Sequence, residues 1–397
     1  MHQIPSNNLR KDTGYIMRQL KQGLFFVFLL IGFSSIASAM KRPVPAPPKI
    51  GANSYILIDY HSGKVLAERS PDTKVAPASI TKLMTAYVVF NELKSGNITL
   101  EEEVTISEKA WRTSGSRMFV EVGKKVPVEK LLKGMIIQSG NDASVALAEH
   151  VAGGEDTFAQ FMNQYAKKLG MNNTHFMNGT GLPHKNHYTT ARDISILARN
   201  LINNFPSFYD WYSQKSYTYN NITQHNRNKL LWQDKYVDGL KTGYTEDAGY
   251  CLAASAEREG MRLVSVVLGT NSPKARAKQS QQLLNYGFRF YETKLLYAGY
   301  EERLKASVWK GEKDKFQLGI KDDLFITIPR GQYKFLKAST TLDNKITAPV
   351  SKGQKFGEVT IKLDEEVIAK KDLIALENVK DGGIWRGMVD SVKLWFE

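Results

Sequence analysis

The sequence predicts an α+β protein: an antiparallel sheet with a helical subdomain inserted between its strands, followed by a small all-β domain. Strand-like apolar runs occur at residues 54–68 and again at 249–268, and the stretch between them is rich in helical patterns. Strands that bracket a helical insertion are typical of domains whose first and last strands share one sheet. After residue 296, short alternating segments recur between Pro, Gly and Asn-Lys turns, which indicates a separate β domain.

Composition indicates a globular protein with a substantial core. The chain has 397 residues, of which 42% are hydrophobic and 24% charged, which argues against extensive disorder and favours two domains. The formal net charge of +14 is spread over both halves. Such a surface suits nucleic acid, anionic lipid or an anionic polymer such as cell wall, and nucleic acid ranks lowest because no matching motif is present. Cys251 is the single cysteine, so no intrachain disulfide is possible.

The first 39 residues have the features of a secretory signal peptide. Arg18 and Lys21 precede a short apolar run at 24–31, and a small-residue cleavage signal ends at Ala39. The alternative is an uncleaved membrane anchor, which the shortness of the apolar run disfavours. We therefore predict that the chain is exported.

The first folded elements are a β-hairpin and the helix that follows it. Residues 54–60 and 65–68 alternate like strands, and residues 61–64 supply the turn between them. Pro77 suits a helix entry, and the mostly apolar run 80–90 indicates a buried helix.

The middle of the chain is predicted to be helical, and strands return at its end. A short strand is expected within 99–106, before helices at 128–137, 142–151, 157–169 and 190–203. Strands follow at 249–256 and 262–268, and an amphipathic helix spans 274–291.

These patterns define five segments. We predict a signal peptide at 1–39, a proline-rich linker at 40–50, a catalytic domain at 51–295, a β domain at 296–380 and a terminal helix at 381–397. The strands of the β domain are expected at 306–310, 324–328, 333–340, 356–362 and 366–368, and no catalytic constellation lies within it.

Three short signatures occur in a fixed order within the predicted catalytic domain. They are Ser79-Ile80-Thr81-Lys82, Ser139-Gly140-Asn141 and Lys241-Thr242-Gly243. Each alone is weak, because the first spacing recurs at 307–310 and the second pattern at 6–8. All three in suitable local context are a strong signal for one site.

The side chains of these signatures suit acyl transfer. Ser79 would attack a carbonyl, and Lys82, kept neutral by burial and a second cation, would take its proton. Ser139 would relay a proton to the leaving group, and Asn141 would hold Lys82 and a substrate amide by hydrogen bonds. Lys241 would supply the positive charge beside Lys82.

The third signature would also form the binding edge of the site. A strand that follows Lys241 can pair with an extended peptide and fix its carbonyl by main-chain bonds. The backbone N–H groups of Ser79 and of the residue after Gly243 would then form an oxyanion hole. Gly243 allows the close approach that this pairing needs.

In their local context the signatures resemble those of the serine-type D-alanyl-D-alanine carboxypeptidases, which are low-molecular-mass penicillin-binding proteins. The resemblance rests on residues 78–85, 138–143 and 237–245, with further similarity at 172–176, 190–193 and 284–288. It implies a penicillin-recognising domain of the serine transpeptidase/β-lactamase-like type. It also implies removal of the terminal D-alanine from peptidoglycan stem pentapeptides, acylation by β-lactam antibiotics, no cofactor, and a location at the periplasmic face of the inner membrane.

The resemblance places arginines that bind the substrate carboxylate at Arg192 and Arg276, with a structural ion pair as the alternative for each. Tyr244 departs from the family pattern, because close relatives often carry His there. This departure bears on the pH optimum and the deacylation rate but not on the reaction class. His184 and His187 have a spacing compatible with metal, yet no acidic or cysteine partner groups with them, so we predict a polar loop and no metal.

Three other functions remain open. A β-lactamase would need a base for fast deacylation, and Gly170–Thr190 contains no Glu. A D,D-endopeptidase could use the same machinery on crosslinked peptides. A non-catalytic wall-binding scaffold is disfavoured because the catalytic set is intact: Ser79, Lys82, Ser139 and Lys241.

The last segment, residues 381–397, is predicted to lie on a membrane surface as an amphipathic helix. At helical spacing its apolar side chains fall within an arc of about 140°: Ile384, Trp385, Met388, Val389, Val392, Trp395 and Phe396. The segment is too short and too charged to span a bilayer, and its aromatic residues suit the headgroup boundary. The alternative is a helix docked onto the β domain.

Overall fold

The first two strands of the computed structural model form the predicted hairpin. β1 (Ser54–Asp59) pairs antiparallel with β2 (Val65–Arg69), and every residue of β1 is buried. The structure describes residues 43–343, 345–384, 386 and 388. The predicted signal peptide therefore lies outside the described residues.

A single turn of 3-10 helix leads into the first long helix. The turn spans Ala78–Thr81, and α1 (Lys82–Lys94) follows it directly. The stretch from Lys82 to Phe90 is buried on all sides, which agrees with a helix that is apolar around its whole circumference. This burial fixes the position of the signature lysine at the start of α1.

The helical block follows in the predicted order. It begins with β3 (Glu103–Thr105), α2 (Glu108–Arg112) and β4 (Lys125–Pro127), in which the two strands pair. Next come α3 (Val128–Ile137), α4 (Asn141–Ala152), α5 (Glu155–Leu169) and α6 (Ala191–Asn204). The bounds of these four helices agree with the predictions within two residues, because each has a clear apolar face.

A group of short elements then follows that the sequence patterns did not predict. They are α7 (Pro206–Tyr209), a 3-10 turn (Asp210–Ser213), the hairpin of β5 (Ser216–Tyr219) with β6 (Ile222–His225), and α8 (Leu230–Gln233). Each has only four residues, too few to display the periodicity of a helix or a strand. The segment matters because it carries residues 226–229 to the candidate site.

Three long strands and a helix complete the first sheet. They are β7 (Val237–Thr245), β8 (Gly249–Arg258), β9 (Met261–Thr270) and α9 (Pro273–Phe290). The strand order is β2-β1-β9-β8-β7, and all neighbours are antiparallel. The prediction that the first and last strands share one antiparallel sheet is confirmed. β7 is the outer strand, and the turn that carries Ser79 packs against it.

The remainder of the described chain is all-β. Its strands are β10 (Tyr291–Tyr297), β11 (Leu304–Ser307), β12 (Lys315–Gly319), β13 (Leu324–Pro329), β14 (Leu336–Leu342), β15 (Lys355–Leu363) and β16 (Glu366–Ala375). Five of them form a sheet in the order β11-β12-β16-β15-β14, and β10 pairs with β13. An apolar core separate from that of the first sheet fills this part.

The structure differs from the strand predictions for this part in several places. The strand expected at 306–310 ends at Ser307, and a 3-10 turn (Tyr333–Phe335) takes the place of the first residues of the strand expected at 333–340. β12 was not expected, and β16 runs through Ala375 although the alternating pattern suggested a strand only at 366–368. Charged residues within Lys370–Asp372 interrupt the apolar pattern, but the strand continues because it pairs with β15 over most of its length. β10 straddles the boundary proposed between residues 295 and 296.

Most of the predicted terminal helix, residues 381–397, lies outside the described residues. Within the described part, Ile384 is 82% exposed, and Arg386 donates a hydrogen bond of 2.9 Å to the Glu312 carbonyl oxygen. None of the helices described here has both the length and the apolar character required to cross a membrane.

Candidate active site

The three signatures converge on one cavity of about 720 Å³. The 3-10 turn supplies Ser79, the N-terminus of α4 supplies Ser139 and Asn141, and β7 supplies Thr242 and Gly243. These segments are far apart in sequence, so the fold brings the predicted residues together.

Ser79 and Lys82 face one another at the start of α1. Lys82 Nζ lies 3.1 Å from Ser79 Oγ, and it also donates to Asn141 Oδ1 at 2.7 Å and to the Thr180 carbonyl oxygen at 2.5 Å. The acceptors from Asn141 and Thr180 hold the amine against the serine hydroxyl. This arrangement is that of a nucleophile beside a base that other groups orient.

Burial shifts the protonation of Lys82. The residue is 1% exposed, and removal from water disfavours its charged form. Burial first, and the charge of Arg227 second, lower the pKa of Lys82 to about 7, although Asp142 opposes the shift. A substantial fraction of the amine is therefore neutral near pH 7 and able to accept a proton.

Asp142 shapes the loop that faces this lysine. Its carboxylate accepts backbone hydrogen bonds of 2.9 Å from Met118 and from Phe119, and one of 3.2 Å from Val120. The same loop receives Asn141, whose side-chain nitrogen donates to the Ser114 carbonyl oxygen at 2.7 Å. The helix N-terminus and the loop thus lock the orientation of the Asn141 amide.

Among the signature residues, Ser139 has the most unusual backbone conformation. Its φ is +68°, a left-handed conformation that residues other than glycine seldom adopt. Its hydroxyl is buried and lines the cavity, and it has no hydrogen-bond partner among the described residues. Such strain is common where a side chain is held for function.

The β7 signature forms the opposite wall. Lys241 is buried, and its Nζ donates to the Thr242 carbonyl oxygen at 3.1 Å. Burial, and then the charges of Lys82, Arg227 and Arg276, hold the pKa of Lys241 well below its ordinary value. A Cβ on Gly243 would lie 3.1 Å from the Pro77 carbonyl oxygen, so a side chain there would crowd the turn that carries Ser79.

Arg276 lies in the cavity, where the resemblance placed it. It reaches the site from the first turns of α9, is 7% exposed, and donates from Nη1 to the Gly243 carbonyl oxygen at 3.0 Å. Its guanidinium lies 5.6 Å from the centre of the Tyr250 ring, and Tyr250 stacks on Tyr244 at 4.2 Å. Tyr244 is half exposed and forms part of the same wall.

Arg192 does not line this cavity, and its assignment to the substrate carboxylate is corrected. It donates to Asp72 at 2.8 Å and to Glu68 at 3.0 Å, which are ion pairs near the surface. The motif around Arg192 begins α6, whose N-cap Thr190 accepts from the Asp193 backbone N–H. The alternative of a structural ion pair is therefore the one that the structure supports.

Arg227 is the cavity residue that the sequence patterns missed. It is exposed and lines the cavity, and its charge lowers the pKa of Lys82, Lys241 and Arg276. The neighbouring Asn228 is buried and donates to the Gly239 carbonyl oxygen at 2.9 Å, which ties the loop to β7. The only local feature of the sequence here is that Asn226 and Asn228 flank Arg227, and this feature belongs to no motif and no periodic pattern.

The loop with His184 and His187 lies beside this site. His187 is buried, and its Nε2 is 3.0 Å from Thr81 Oγ1. Burial lowers the pKa of His187 to about 4, so the imidazole is neutral at pH 7. In the described parts of the chain no group of three or more His, Cys, Asp or Glu residues could hold a metal ion.

Two family models together match most of the chain. The model described as D-alanyl-D-alanine carboxypeptidase matches residues 41–272. A second model, described as the C-terminal domain of penicillin-binding protein 5, matches residues 290–381. The second match begins at the end of α9 and includes β10.

Individual relatives agree with the family models. The chain is 44% identical to D-alanyl-D-alanine carboxypeptidase DacC of Escherichia coli over 96% of both chains, and 41% identical to DacA of the same species over 97% of this chain and 98% of that one. Among solved structures, penicillin-binding protein 5 from Haemophilus influenzae is 42% identical with a TM-score of 0.82, covering 85% of this chain and 100% of that one. Penicillin-binding protein D2 from Listeria monocytogenes, solved in an ampicillin-bound form, is 30% identical with a TM-score of 0.57 over 62% of this chain and 100% of that one.

Proposed function

This chain belongs to the D-alanyl-D-alanine carboxypeptidase family, and we propose that it removes the terminal D-alanine of peptidoglycan stem pentapeptides through an acyl-enzyme on Ser79. The observation that carries the assignment of residues is the 3.1 Å contact between Ser79 Oγ and the buried amine of Lys82, whose pKa is about 7. A serine hydroxyl needs such a neighbouring base to attack a carbonyl at neutral pH.

Acylation requires one proton transfer to the base and one to the leaving group. Ser79 Oγ attacks the carbonyl carbon of the penultimate D-alanine while neutral Lys82 accepts the hydroxyl proton. The C–N bond of the tetrahedral intermediate then breaks, and the departing amine of the terminal D-alanine receives a proton. Ser139 is suited to relay this proton, because its hydroxyl has no partner among the described residues and Ser139 lines the same cavity.

Deacylation uses the same groups in reverse. Water attacks the ester carbon, a proton passes to Lys82, and the Ser79 oxygen leaves and is protonated. Asn141 keeps the Lys82 amine in place during both halves through its 2.7 Å hydrogen bond. A β-lactam would acylate Ser79 by the same first half, and its ring-opened product would remain attached as an ester.

Two features of β7 support main-chain binding of the substrate. Among the described strands β8 alone pairs with β7, so the other edge can pair with an extended peptide. The backbone N–H groups of Ser79 and Tyr244 are the donors that we assign to the developing oxyanion. Gly243 lets this edge approach the nucleophile.

The terminal carboxylate of the substrate is assigned to the cationic end of the cavity. Arg276 and Arg227 line this end, and the buried Lys241 adjoins it. An arginine fork matches the geometry of a carboxylate, and the low dielectric of a partly buried site strengthens the contact. Arg192 has no part in this binding.

We also propose that the enzyme works on the outer side of the cytoplasmic membrane and is held there by residues 381–397. The exposed Ile384 and Met388 belong to the apolar face that the sequence predicts, which supports contact with a lipid surface. The basic balance of the chain, +14, suits anionic headgroups and anionic wall polymer.

The function is tested by incubating the purified enzyme with a soluble pentapeptide that ends in D-Ala-D-Ala and measuring free D-alanine. The parent enzyme should release one D-alanine per peptide, and Ser79→Ala should release none. Lys82→Ala should lower the rate by about 10²- to 10⁴-fold, the usual contribution of a general base. Release by Ser79→Ala at the parental rate would exclude the proposed nucleophile.

A further inference from the structure

A cleft lies between the catalytic domain and the β domain, and it shares no lining residue with the catalytic cavity. It consists of two cavities of about 820 and 580 Å³. The first alone reaches Tyr300, and the second alone reaches residues 366–371. Because the two cavities have a common wall, they form one cleft that suits an extended ligand. The residues of that wall are His61, Arg199, Asp322, Asp323 and Phe325.

Hydrogen bonds fix both walls of the cleft. On the side of the catalytic domain, Arg199 of α6 donates from Nε to the Tyr60 carbonyl oxygen at 2.6 Å and from Nη2 to the His61 carbonyl oxygen at 2.7 Å. On the side of the β domain, the Gly299 backbone N–H donates to the Asp323 carboxylate at 2.8 Å. The walls are therefore formed before a ligand binds, which lowers the entropic cost of binding.

Aromatic rings from both domains line the cleft. The His61 ring stacks on Phe325 with 4.3 Å between the ring centres and 22° between the planes, and the edge of Tyr60 meets His61 at 4.8 Å. Burial lowers the pKa of His61 below its ordinary value, so its ring is mostly uncharged at pH 7. Uncharged rings of this kind offer flat apolar faces with polar edges.

Tyr300 adds an exposed aromatic ring at one end of the cleft. Its φ is +57°, a left-handed conformation that is rare for a bulky residue, and its backbone N–H donates to the Ile320 carbonyl oxygen at 2.8 Å. Lys352 Nζ lies 5.7 Å from the ring centre, yet the residue is 54% exposed. A strained backbone that presents a large exposed ring is a feature of binding sites.

The polar groups of the cleft include both donors and acceptors. Asn200 donates to the Ile196 carbonyl oxygen at 2.9 Å, and its side-chain oxygen has no partner among the described residues. Lys321 and Asp322 are exposed, and neither has an ion-pair partner in the described chain. In the larger cavity two cations and two carboxylates balance, which disfavours a polyanion and suits neutral groups that donate and accept.

We propose that this cleft binds a chain of pyranose sugars, namely the glycan strand of the cell wall. A pyranose ring has an apolar face of C–H groups and a rim of hydroxyl or acetamido groups. The aromatic rings would stack on such faces, and Asn200, Lys321 and Asp322 would bond to the rim.

The pyranose class follows from the cleft itself, whereas the choice of wall glycan rests on the proposed function, because that polymer carries the stem peptides. A glycan held in the cleft would raise the effective concentration of its stem peptides at the catalytic cavity. The cleft would thus act on the use of the polymer and not on the chemical step.

The test titrates the full-length mature protein with wall glycan strands from which an amidase has removed the stem peptides. Cellohexaose is the comparison for pyranose chains in general, and poly-glutamate is the comparison for charge alone. The variants are Tyr300→Ala and Asp322→Ala. Tyr333→Ala and Asp343→Ala are the matched controls, because both residues are exposed in the β domain and line neither cavity.

The parent should bind the peptide-free glycan strands more tightly than either comparison polymer. Tyr300→Ala should raise Kd about tenfold, as expected for an aromatic anchor, and Asp322→Ala about fivefold. On wall polymer that carries pentapeptides both variants should raise KM and leave kcat unchanged. On a soluble pentapeptide they should keep the parental kcat/KM, which also shows that they fold.

Absence of glycan binding by the parent would overturn the proposal, and so would an equal Kd in the parent and both variants. Equal affinity for poly-glutamate would show that charge alone causes the binding. Equal affinity for cellohexaose would overturn the wall glycan as the occupant. If the parent releases no D-alanine from any substrate, the proposed function fails, and this outcome is distinct because glycan binding is measured without catalysis.

Discussion

Lys82 lies in a pocket of neutral acceptors, Asn141 and the Thr180 carbonyl, and no carboxylate of the described residues forms an ion pair with its amine. Burial, and then the charge of Arg227, lower its pKa to about 7, although the hydrogen bonds to these acceptors favour the protonated amine. Asp142 is the carboxylate that opposes the shift, but its oxygens are committed to three backbone N–H groups of the neighbouring loop.

The lowered pKa predicts the pH dependence of acylation. Lys82 is protonated below its pKa and cannot accept the Ser79 proton, so the acylation rate constant should fall as pH decreases through about 7. It should reach a plateau above that value, where the amine is neutral. Stopped-flow acylation by a chromogenic β-lactam measures this profile, and a rate that is constant across pH 7 would contradict the assigned base.

The two arginines that the resemblance suggested should behave differently. Arg276→Ala should lower kcat/KM on D-Ala-D-Ala peptides by about 10- to 100-fold, because it removes a charge-assisted partner of the substrate carboxylate. Arg192→Ala should leave kcat/KM unchanged and lower the free energy of unfolding by at most about 1 kcal/mol, as expected for a partly exposed ion pair. Steady-state kinetics and urea unfolding of both variants check this contrast, and it fails if Arg192→Ala raises KM.

The residues of the signatures were predictable, but the carboxylate-binding arginines were only partly so. Ser79 and Lys82 share one helical turn, so their contact follows from spacing alone. Arg227 and Arg276 meet only because β5, β6 and α9 fold back on the end of β7, and nothing local encodes that tertiary contact. Arg192 belongs to a recognisable motif, but this motif has a structural role: it begins α6 and provides an ion pair.

At the scale of elements, α4 and the loop between α2 and β4 form the unit that holds the second signature. Asp142 at the start of α4 accepts from Met118, Phe119 and Val120, and the Asn141 backbone N–H donates to the Ser116 carbonyl oxygen at 2.6 Å. The three bonds to the Asp142 carboxylate are charge-assisted and at least partly buried, which makes them among the stronger of their kind.

We expect Asp142→Asn to destabilise this unit. An amide can accept through one atom only, and its NH₂ group would face a backbone donor, so the free energy of unfolding should fall by about 2–4 kcal/mol. Urea unfolding measures the loss. Asp156→Asn, an exposed residue in the first turn of α5, is the matched control and should stay within about 0.5 kcal/mol of the parent. If Asp142→Asn unfolds at the same urea concentration as the parent, the hydrogen bonds to this carboxylate do not stabilise the loop.

The sequence predicted helices and strands correctly where the apolar pattern repeats over enough residues to be recognised. The four long helices of the insertion and the strands β8 and β9 have apolar patterns over ten residues or more. The hairpin of β5 and β6 has four residues in each strand and is mostly exposed, so its alternation was too short to identify. It nevertheless contacts the loop between α2 and β4, through a 3.0 Å bond from Gln224 to the Arg117 carbonyl oxygen.

At the scale of the whole molecule, the catalytic and β parts are joined by a polar network and a strand. Thr293 on β10 bonds to Asp59 at the end of β1 and to Thr327 on β13, at 2.6 and 2.9 Å. Because β10 continues directly from α9 and pairs with β13, the two parts meet without a flexible linker. The sequence indicated that short alternating segments begin near residue 296. It did not predict that β10 continues from α9 into the β domain, because this strand resembles neither the helix before it nor the short strands after it.

Removal of the terminal helix tests the proposed membrane attachment. Truncation after Lys380 should move the mature protein from the membrane fraction to the soluble fraction, because it deletes the apolar face of residues 381–397. The kcat/KM on a soluble peptide should remain parental, since the catalytic cavity is far along the chain from this segment. Fractionation and kinetics of the same preparation check both points, and a truncated protein that stays with the membrane after signal cleavage would contradict the attachment.

The most direct measurement is the site of the covalent adduct after reaction with penicillin. Intact mass should show one adduct per chain, and peptide mapping should locate it on Ser79. Ser116→Ala is the matched control, because Ser116 lines the same cavity without belonging to a signature, and this variant should label like the parent. Ser79→Ala should not label at all. An adduct that maps to any other residue, or that persists in Ser79→Ala, would show that Ser79 is not the nucleophile.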